Sequence, residues 1–231
     1  MAFSVSRISY LRILWGIVEM RYKAVVFDVD GVLVEVESIW KYIHRKLGTL
    51  DKAMKFAEMF YRGQISYEKW AYLDAMLWKG VKRSTFKSIV SQIPLKRGAR
   101  ELVDYLKSLG LKIIAISAGL DILTKRVSEE LGLDYVASNE MVFEDDVFTG
   151  TVKVHVTFDN KGEVMKNILV SMGVAPEESI AIGDSEIDIP MFSIAGLAIA
   201  FNPKNPEVIY QADITVIGEI YTLQKVIQKV L

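Results

Sequence analysis

Cysteine is absent from the 231 residues, which excludes disulfides, thiolate catalysis and cysteine-ligated zinc. Histidine is scarce. Only His44 and His155 occur, so a polyhistidine metal centre is excluded and any bound metal must be held by oxygen. Both histidines read as surface or packing residues. Charge of one sign is missing too: 28 Lys and Arg against 29 Asp and Glu give a formal net charge of −1. That balance offers no electrostatic basis for nucleic acid or an anionic membrane as partner. Long hydrophobic runs are lacking. The apolar stretch from Leu11 to Val18 is interrupted by Arg12, is too short to span a bilayer, and is followed by no small-residue cleavage site. Residues 1–19 are therefore expected to be an amphipathic extension of a cytoplasmic protein, with Met20 as an alternative start.

What remains is the composition of an ordinary globular protein, 51% hydrophobic and 25% charged, long enough for a full core with or without an insertion. From about residue 97 a rhythm repeats. Amphipathic Ala99 to Leu109 ends at Gly110 and is followed by Lys112-Ile113-Ile114-Ala115-Ile116; Asp121 to Leu131 ends at Gly132, before Tyr135-Val136-Ala137. Lys161 to Met172 ends at Gly173 before the run 179–182, and Pro190 to Ala195 ends at Gly196 before Leu197 to Phe201. Glycine just past a helical run is the expected stop signal. Short apolar strands alternating with helices predict a parallel sheet covered on both faces, a doubly wound α/β core.

Residues 36–93 break the rhythm. Four periodic segments, 38–47, 51–62, 66–79 and 84–92, follow one another without a strand, and Asp51, Ser66 and Ser84 are plausible N-caps for the last three. The sequence thus predicts an all-helical cap at 36–93 inserted into a core made of 20–35 and 94–231. Such an insertion would act as a lid. Trp40, Trp70 and Trp78 are expected in its core. Met141 to Val156, alternating around Phe148-Thr149-Gly150-Thr151-Val152, predicts a β-hairpin near the same rim.

Two acidic segments carry the chemistry. Phe27-Asp28-Val29-Asp30-Gly31-Val32 follows the apolar run Ala24-Val25-Val26, and Gly183-Asp184-Ser185-Glu186-Ile187-Asp188 follows Ser179 to Ile182. In an open parallel sheet, ligands bind outside the carboxyl ends of the strands. Two acidic strand ends meeting there make a hard-cation site with a nucleophile beside it. A bland reading stands next to this one: Asp-Gly between alternating apolar residues also signals a hairpin, and acids favour the first turn of a helix.

Three further features bear on the choice. Ser117 and the backbone of Ala118-Gly119, at the end of the strand Ile113 to Ile116, supply a hydroxyl and N–H groups able to cradle a phosphate. Lys161 opens a helix where a cation opposes the dipole, either as a functional group or as a solvated lysine paired with Glu163 or Asp159. Asp184 and Asp188, four apart, would share a helix face and repel one another, and a divalent cation relieves that. Mg²⁺ keeps few protein carboxylates and prefers phosphate oxygens as remaining ligands. Together these features describe phosphoryl transfer.

In this order, Asp-Val-Asp-Gly-Val, Ile-Ser-Ala-Gly, the lysine of Asn-Lys-Gly-Glu and Gly-Asp-Ser-Glu-Ile-Asp-Ile-Pro-Met resemble the four motifs of the haloacid dehalogenase superfamily, closest to its phosphoserine phosphatase-like branch. The resemblance extends over residues 22–231. It implies a Rossmann-like core with a helical cap and a phosphatase acting on a small phosphorylated metabolite, as monomer or homodimer. It implies Asp28 as nucleophile forming an aspartyl-phosphate, and Asp30 as general acid and base. Ser117, Ala118 and Lys161 would bind the phosphoryl group. Mg²⁺ would be held by Asp28, the Asp30 carbonyl and Asp184, with Asp188 in support.

The chain also departs from that pattern. Glu37 matches a glutamate of the phosphoserine-specific enzymes, but Asp74 stands where their cap carries an arginine for the substrate carboxylate, with Arg62 and Lys69 as alternative cations nearby. Ile187 replaces an asparagine of the fourth motif. Phosphoserine specificity is therefore not expected. The motifs do not separate a phosphatase from a phosphotransferase or mutase, and a noncatalytic binding or regulatory module is the reading from another class.

Overall fold

In a computed structural model of the protein, residues 21–231 are described, together with a short antiparallel pair, β1 (Ile13–Leu14) and β2 (Ile17–Val18). The rest of the expectation for residues 1–19 lies outside the described residues. The core is a seven-stranded sheet of β3 (Ala24–Phe27), β4 (Lys112–Leu120), β5 (Tyr135–Glu144), β6 (Val147–Lys153), β7 (Ser179–Gly183), β8 (Leu197–Phe201) and β9 (Ile214–Val216). Their spatial order is β6-β5-β4-β3-β7-β8-β9. All pairs are parallel except β5 with β6. The fold is a doubly wound α/β sheet.

Period-two alternation explains why β3 is apolar throughout. Val25 and Phe27 join one core cluster with Ile113, Ala115, Ile180 and Ile182, while Ala24 and Val26 join a second with Ile114, Ile116 and Ala181. The second face is covered by α7 (Lys161–Ser171) through Met165, Ile168 and Leu169. The first is covered by α5 (Ala99–Ser108), α6 (Asp121–Leu131) and α10 (Ile220–Val230). Short α8 (Ile189–Phe192) and α9 (Pro206–Gln211) complete the chain. The hairpin reading of Asp30-Gly31 fails, because β3 is paired in parallel on both sides. The chain instead curls, with the amides of Val32, Leu33 and Val34 all reaching the Val29 carbonyl.

Between β3 and β4 the chain forms α1 (Ile39–Leu47), α2 (Leu50–Tyr61), α3 (Tyr67–Met76) and α4 (Arg83–Val90). Ser66 caps α3, accepting from the Lys69 amide at 3.2 Å. Asp51 and Ser84 instead fall in first turns, because Thr49 and Lys82 hold the cap positions. These helices and the turns that follow them share one apolar cluster with the sheet, through Ile39, Ile43, Trp78, Phe86 and Ile93. They also bond to the β5–β6 hairpin: Gly80 N–H donates to Phe148 O, and Phe148 N–H to Val81 O, both at 2.9 Å. No helix among the described residues is long and apolar enough to cross a membrane.

Candidate active site

The chain passes from β3 to β4 on one side, and later crosses to β7 on the other, so β3 sits at the topological switch point where ligands are expected. Register fixes what meets there. Phe27 pairs with Ala115 and with Ile182, which sets Asp28 level with the end of β7 and with Ile116, after which β4 loses its regular register.

Lys161 reaches this point from the first turn of α7. Its Nζ donates to Asp28 Oδ1 and to Asp188 Oδ1, each at 2.6 Å, and the side chain is fully buried. The solvated-lysine reading is thereby excluded. Burial works to lower the ammonium pKa, but Asp188 and Asp28 override it and hold it above the ordinary lysine value. The helix dipole opposing Lys161 is outweighed by two charge-assisted bonds in a dry site.

Asp184 and Asp188 do not share a helix face. Glu186–Asp188 is a single 3₁₀ turn, and Asp188 Oδ2 accepts the amides of Asp184 at 2.8 Å and Ser185 at 3.0 Å. Both Asp188 oxygens are thus engaged, which makes it a brace for the turn and for Lys161. Asp184 Oδ2 pairs with Lys204 at 3.0 Å, while its Oδ1 is buried with no partner. Burial pushes Asp184 up to about 6, against Lys204. Burial likewise pushes Asp28 well above the usual carboxylate range, opposed by Lys161 and reinforced by Asp188, Asp184 and Asp30.

These are carboxylates with too little positive charge around them. One oxygen each of Asp28, Asp184 and Asp188 lies within 4.8 Å of the others. An oxygen-only donor set with an orphaned Asp184 Oδ1 fits a hard divalent cation. Since Asp188 is committed elsewhere, Asp28 and Asp184 are the side chains free to take it. Gly31 lies against them: its φ is +86°, and a Cβ there would fall 2.0 Å from Asp184 Oδ2. Only glycine lets the loop pass this close.

Asp30 Oδ2 accepts the Ile39 amide at 2.7 Å, tying the loop to the start of α1, while Oδ1 is buried and unpartnered. Burial raises Asp30 to about 6, against the Ile39 N–H, Lys204 and Lys161. Ser117 does not lie past a strand end, as expected; β4 runs on to Leu120 with a register shift after Ile116. Ser117 is buried there, and its Oγ accepts the Gly119 amide at 2.9 Å and keeps its own proton to donate. The Ala118 carbonyl is held by Trp40 Nε1 at 3.1 Å, Tyr67 OH at 3.0 Å and Asn139 Nδ2 at 2.9 Å.

A cavity of about 230 Å³ opens over these groups, lined by Asp28, Asp30, Ser117 and Ala118 from the sheet side and by α1 to α3 above. Asp74 lines it and is buried; Glu37 lines it from an exposed position, with its carbonyl bound by Lys204 at 3.3 Å. Of the three tryptophans expected in the core, only Trp78 is fully buried, whereas Trp40 and Trp70 face the cavity. Arg62 and Lys69 do not line it. His44 does, and it is buried. Sequence reasoning missed Lys204 and Asn139. Lys204 lies three residues past β8, so the strand-end rule applied to a third strand would have found it. Asn139 is a fully buried polar residue inside β5, and that interruption of an apolar pattern was its signal.

Comparison with known proteins decides the family: the sequence matches the haloacid dehalogenase-like hydrolase model over residues 22–196. The chain belongs to that family. This haloacid dehalogenase-like hydrolase is 33% identical over 199 residues to a phosphoserine phosphatase of Methanocaldococcus jannaschii, covering 86% of this chain and 93% of that one. It is 37% identical over 183 residues to a phosphoserine phosphatase of Archaeoglobus fulgidus, covering 79% of this chain and 53% of that one, so it spans about half the length of that relative. Among solved structures, a substrate-bound phosphoserine phosphatase complex matches with a TM-score of 0.78 and 30% identity, over 91% of this chain and 99% of the other. A phospho-aspartyl intermediate analogue of phosphoserine phosphatase matches with a TM-score of 0.77 and 30% identity, over 90% and 98%. The hydrolase falls in the phosphoserine phosphatase-like branch.

Proposed function

We propose that the protein is a Mg²⁺-dependent phosphatase of small phosphomonoesters that works through an aspartyl-phosphate. The observation that carries this reading is the pairing of Asp28, bound by buried Lys161, with an unpartnered Asp30 Oδ1 on the same cavity. Asp28 attacks phosphorus, and the ester oxygen leaves as an alcohol with the proton of Asp30. Water then attacks the aspartyl-phosphate, Asp30 takes its proton, and phosphate leaves a regenerated Asp28. A carboxyl raised to about 6 by burial suits a group that must both give and take a proton near neutrality. Ser117, the Ala118 amide and Lys161 hold the phosphoryl oxygens. Mg²⁺, held by Asp28, the Asp30 carbonyl and Asp184, would neutralise charge on the transferring group. Asp188 keeps Lys161 and the 184–188 turn in place.

Phosphoserine is not the preferred substrate in this reading, although the relatives named above are phosphoserine phosphatases. Among the described residues no arginine lines the cavity, and its lysines are Lys41 and Lys204, the latter committed to Asp184. Asp74 on the same wall repels a carboxylate. The test is phosphate release from an aryl phosphate by purified protein, with Mg²⁺ and with EDTA. Turnover with Mg²⁺ that is lost in EDTA and in Asp28→Asn supports the reading; no turnover, or turnover indifferent to both, overturns it.

A further inference from the structure

The register shift in β4 sets one carbonyl apart. Ile116 pairs with Ala137 and Leu120 with Asn139, so Ser117, Ala118 and Gly119 together stand opposite a single residue of β5. A backbone carbonyl taken out of a regular ladder needs other donors. At Ala118 three side chains supply them: Asn139 Nδ2 at 2.9 Å, Tyr67 OH at 3.0 Å and Trp40 Nε1 at 3.1 Å. Asn139 belongs to β5, whereas Trp40 and Tyr67 stand in the first turns of α1 and α3.

Each of the three is committed to donating. An indole N–H has no other role. Asn139 Oδ1 accepts the amides of His155 at 2.8 Å and Val156 at 2.9 Å, which leaves its NH₂ turned to Ala118. Burial holds the Tyr67 phenol well above the ordinary tyrosine value, so its proton stays in place.

The Ala118 carbonyl shares a peptide unit with the Gly119 N–H. Donors on the oxygen draw electron density through the peptide resonance and strengthen that N–H. It donates to Ser117 Oγ at 2.9 Å. A hydroxyl oxygen that accepts such a bond donates its own proton more strongly, in a direction away from the N–H. The approach is close: a Cβ on Gly119 would fall 2.9 Å from Ser117 Oγ and 2.8 Å from Ile39 Cγ2, so a side chain at 119 would push the two apart. Ser117 and Ala118 line the cavity together with Asp28.

We propose that Asn139, Tyr67 and Trp40 are positioning residues for phosphate, acting on Ser117 through the Ala118–Gly119 peptide. The proposal rests on the phosphatase reading, in which Ser117 donates to a phosphoryl oxygen. Two of the three donors come from the inserted helices, so these helices complete the phosphate cradle as well as cover it.

The test is a double-variant cycle on Tyr67 and Ser117, read by calorimetric titration of the full chain with inorganic phosphate in the presence of Mg²⁺. Inorganic phosphate has no leaving group, so contacts between the Tyr67 ring and an alcohol do not enter. Tyr67→Phe keeps the ring and removes the hydroxyl. It should weaken phosphate binding by about three- to tenfold, the usual worth of one hydrogen bond. Ser117→Ala should weaken it by about tenfold or more, since its partner is charged. Adding Tyr67→Phe to Ser117→Ala should then cost less than about twofold, because the group it acts through is gone. Trp40→Phe should repeat the pattern, and kcat/KM for p-nitrophenyl phosphate should follow the same cycle. A merely structural role for Tyr67 would give the same loss in both backgrounds. Losses that multiply in the double variant therefore overturn this inference alone, as does a phosphate affinity unchanged in both Tyr67→Phe and Trp40→Phe. Wild-type protein that neither binds phosphate nor hydrolyses the aryl ester overturns the phosphatase reading and this one with it.

Discussion

Lys161 Nζ lies 2.6 Å from Asp28 Oδ1 across a sequence separation of 133 residues. The same nitrogen is equally close to Asp188 Oδ1, and none of the three residues is more than 7% exposed. A cation shared between two buried carboxylates organises the site before any ligand arrives. Lys161→Met should cost about 3–5 kcal/mol of stability, because it leaves two buried anions uncompensated. Chemical denaturation measures this. The Lys161→Met/Asp28→Asn pair should cost less than the sum of its members, since the second change removes one of those anions. Strict additivity would show that the two side chains are not coupled.

The two motif-one aspartates should separate kinetically. Asp28→Asn keeps the shape of the side chain but is a poor nucleophile, so turnover should vanish with the fold intact. Asp30→Asn should slow turnover by roughly a hundredfold or more, the usual share of general acid–base catalysis. It should slow an ester with a poor leaving group more than an aryl phosphate, whose leaving group needs no proton. Equal slowing of the two esters by Asp30→Asn would remove Asp30 from the proton transfer to the leaving group.

Gly31 is tested through Asp184. A Cβ at position 31 would sit 2.0 Å from Asp184 Oδ2 on a backbone with φ +86°, so Gly31→Ala must displace either the loop or the carboxylate. The Mg²⁺ concentration for half-maximal activity should rise at least tenfold. Replacing Mg²⁺ by Ca²⁺ in the wild-type protein should support little activity, because its larger and looser coordination misplaces nucleophile and phosphate. An unchanged Mg²⁺ requirement in Gly31→Ala would detach Asp184 from the metal.

Phosphoserine should be a poor substrate for the wild-type protein, and Asp74→Arg should raise its kcat/KM selectively, by about tenfold or more. The change exchanges a repulsive carboxylate for a charge-assisted contact. Kinetics on phosphoserine and p-nitrophenyl phosphate, wild type against variant, check it. Should the wild-type protein prefer phosphoserine, Lys41 at the rim becomes the anchor to examine by substitution.

Trp78 holds the inserted helices to the sheet. Its ring stacks on Trp40 with centroids 5.4 Å apart, tilts against His44 at 4.5 Å, and packs on Phe86 and Phe148. Trp78→Ala should lower stability by about 3–5 kcal/mol, as for other large-to-small core changes, and a thermal or denaturant melt reads it directly. A loss near zero would mean that the helices are anchored elsewhere.

Much of this molecule is written locally. The helix ends at Gly48, Gly110 and Gly132, the strand Leu197–Phe201 and the helix Asp121–Leu131 follow from periodicity and stop signals, which act over a few residues. The resemblance of the four motifs, read in order, names Asp28, Asp30, Ser117, Ala118, Lys161, Asp184 and Asp188 as candidates, and the strand-end rule points independently to Asp28 and Asp184 after β3 and β7. Only the tertiary structure decided their partners. That Lys161 is buried between two carboxylates, that Asp188 braces a 3₁₀ turn rather than a helix face, and that Lys204 faces Asp184 all depend on which strands are neighbours, and strand order is not encoded within any one segment. The same holds above the sheet. Sequence alone marks Trp40, Trp70 and Trp78 alike as packing residues, and leaves His44 as a surface or packing residue. Their division into one core ring and a cavity wall was set by where the fold places α1, α3 and the turn after α3, because an amphipathic pattern fixes which face is buried but not what that face is buried against.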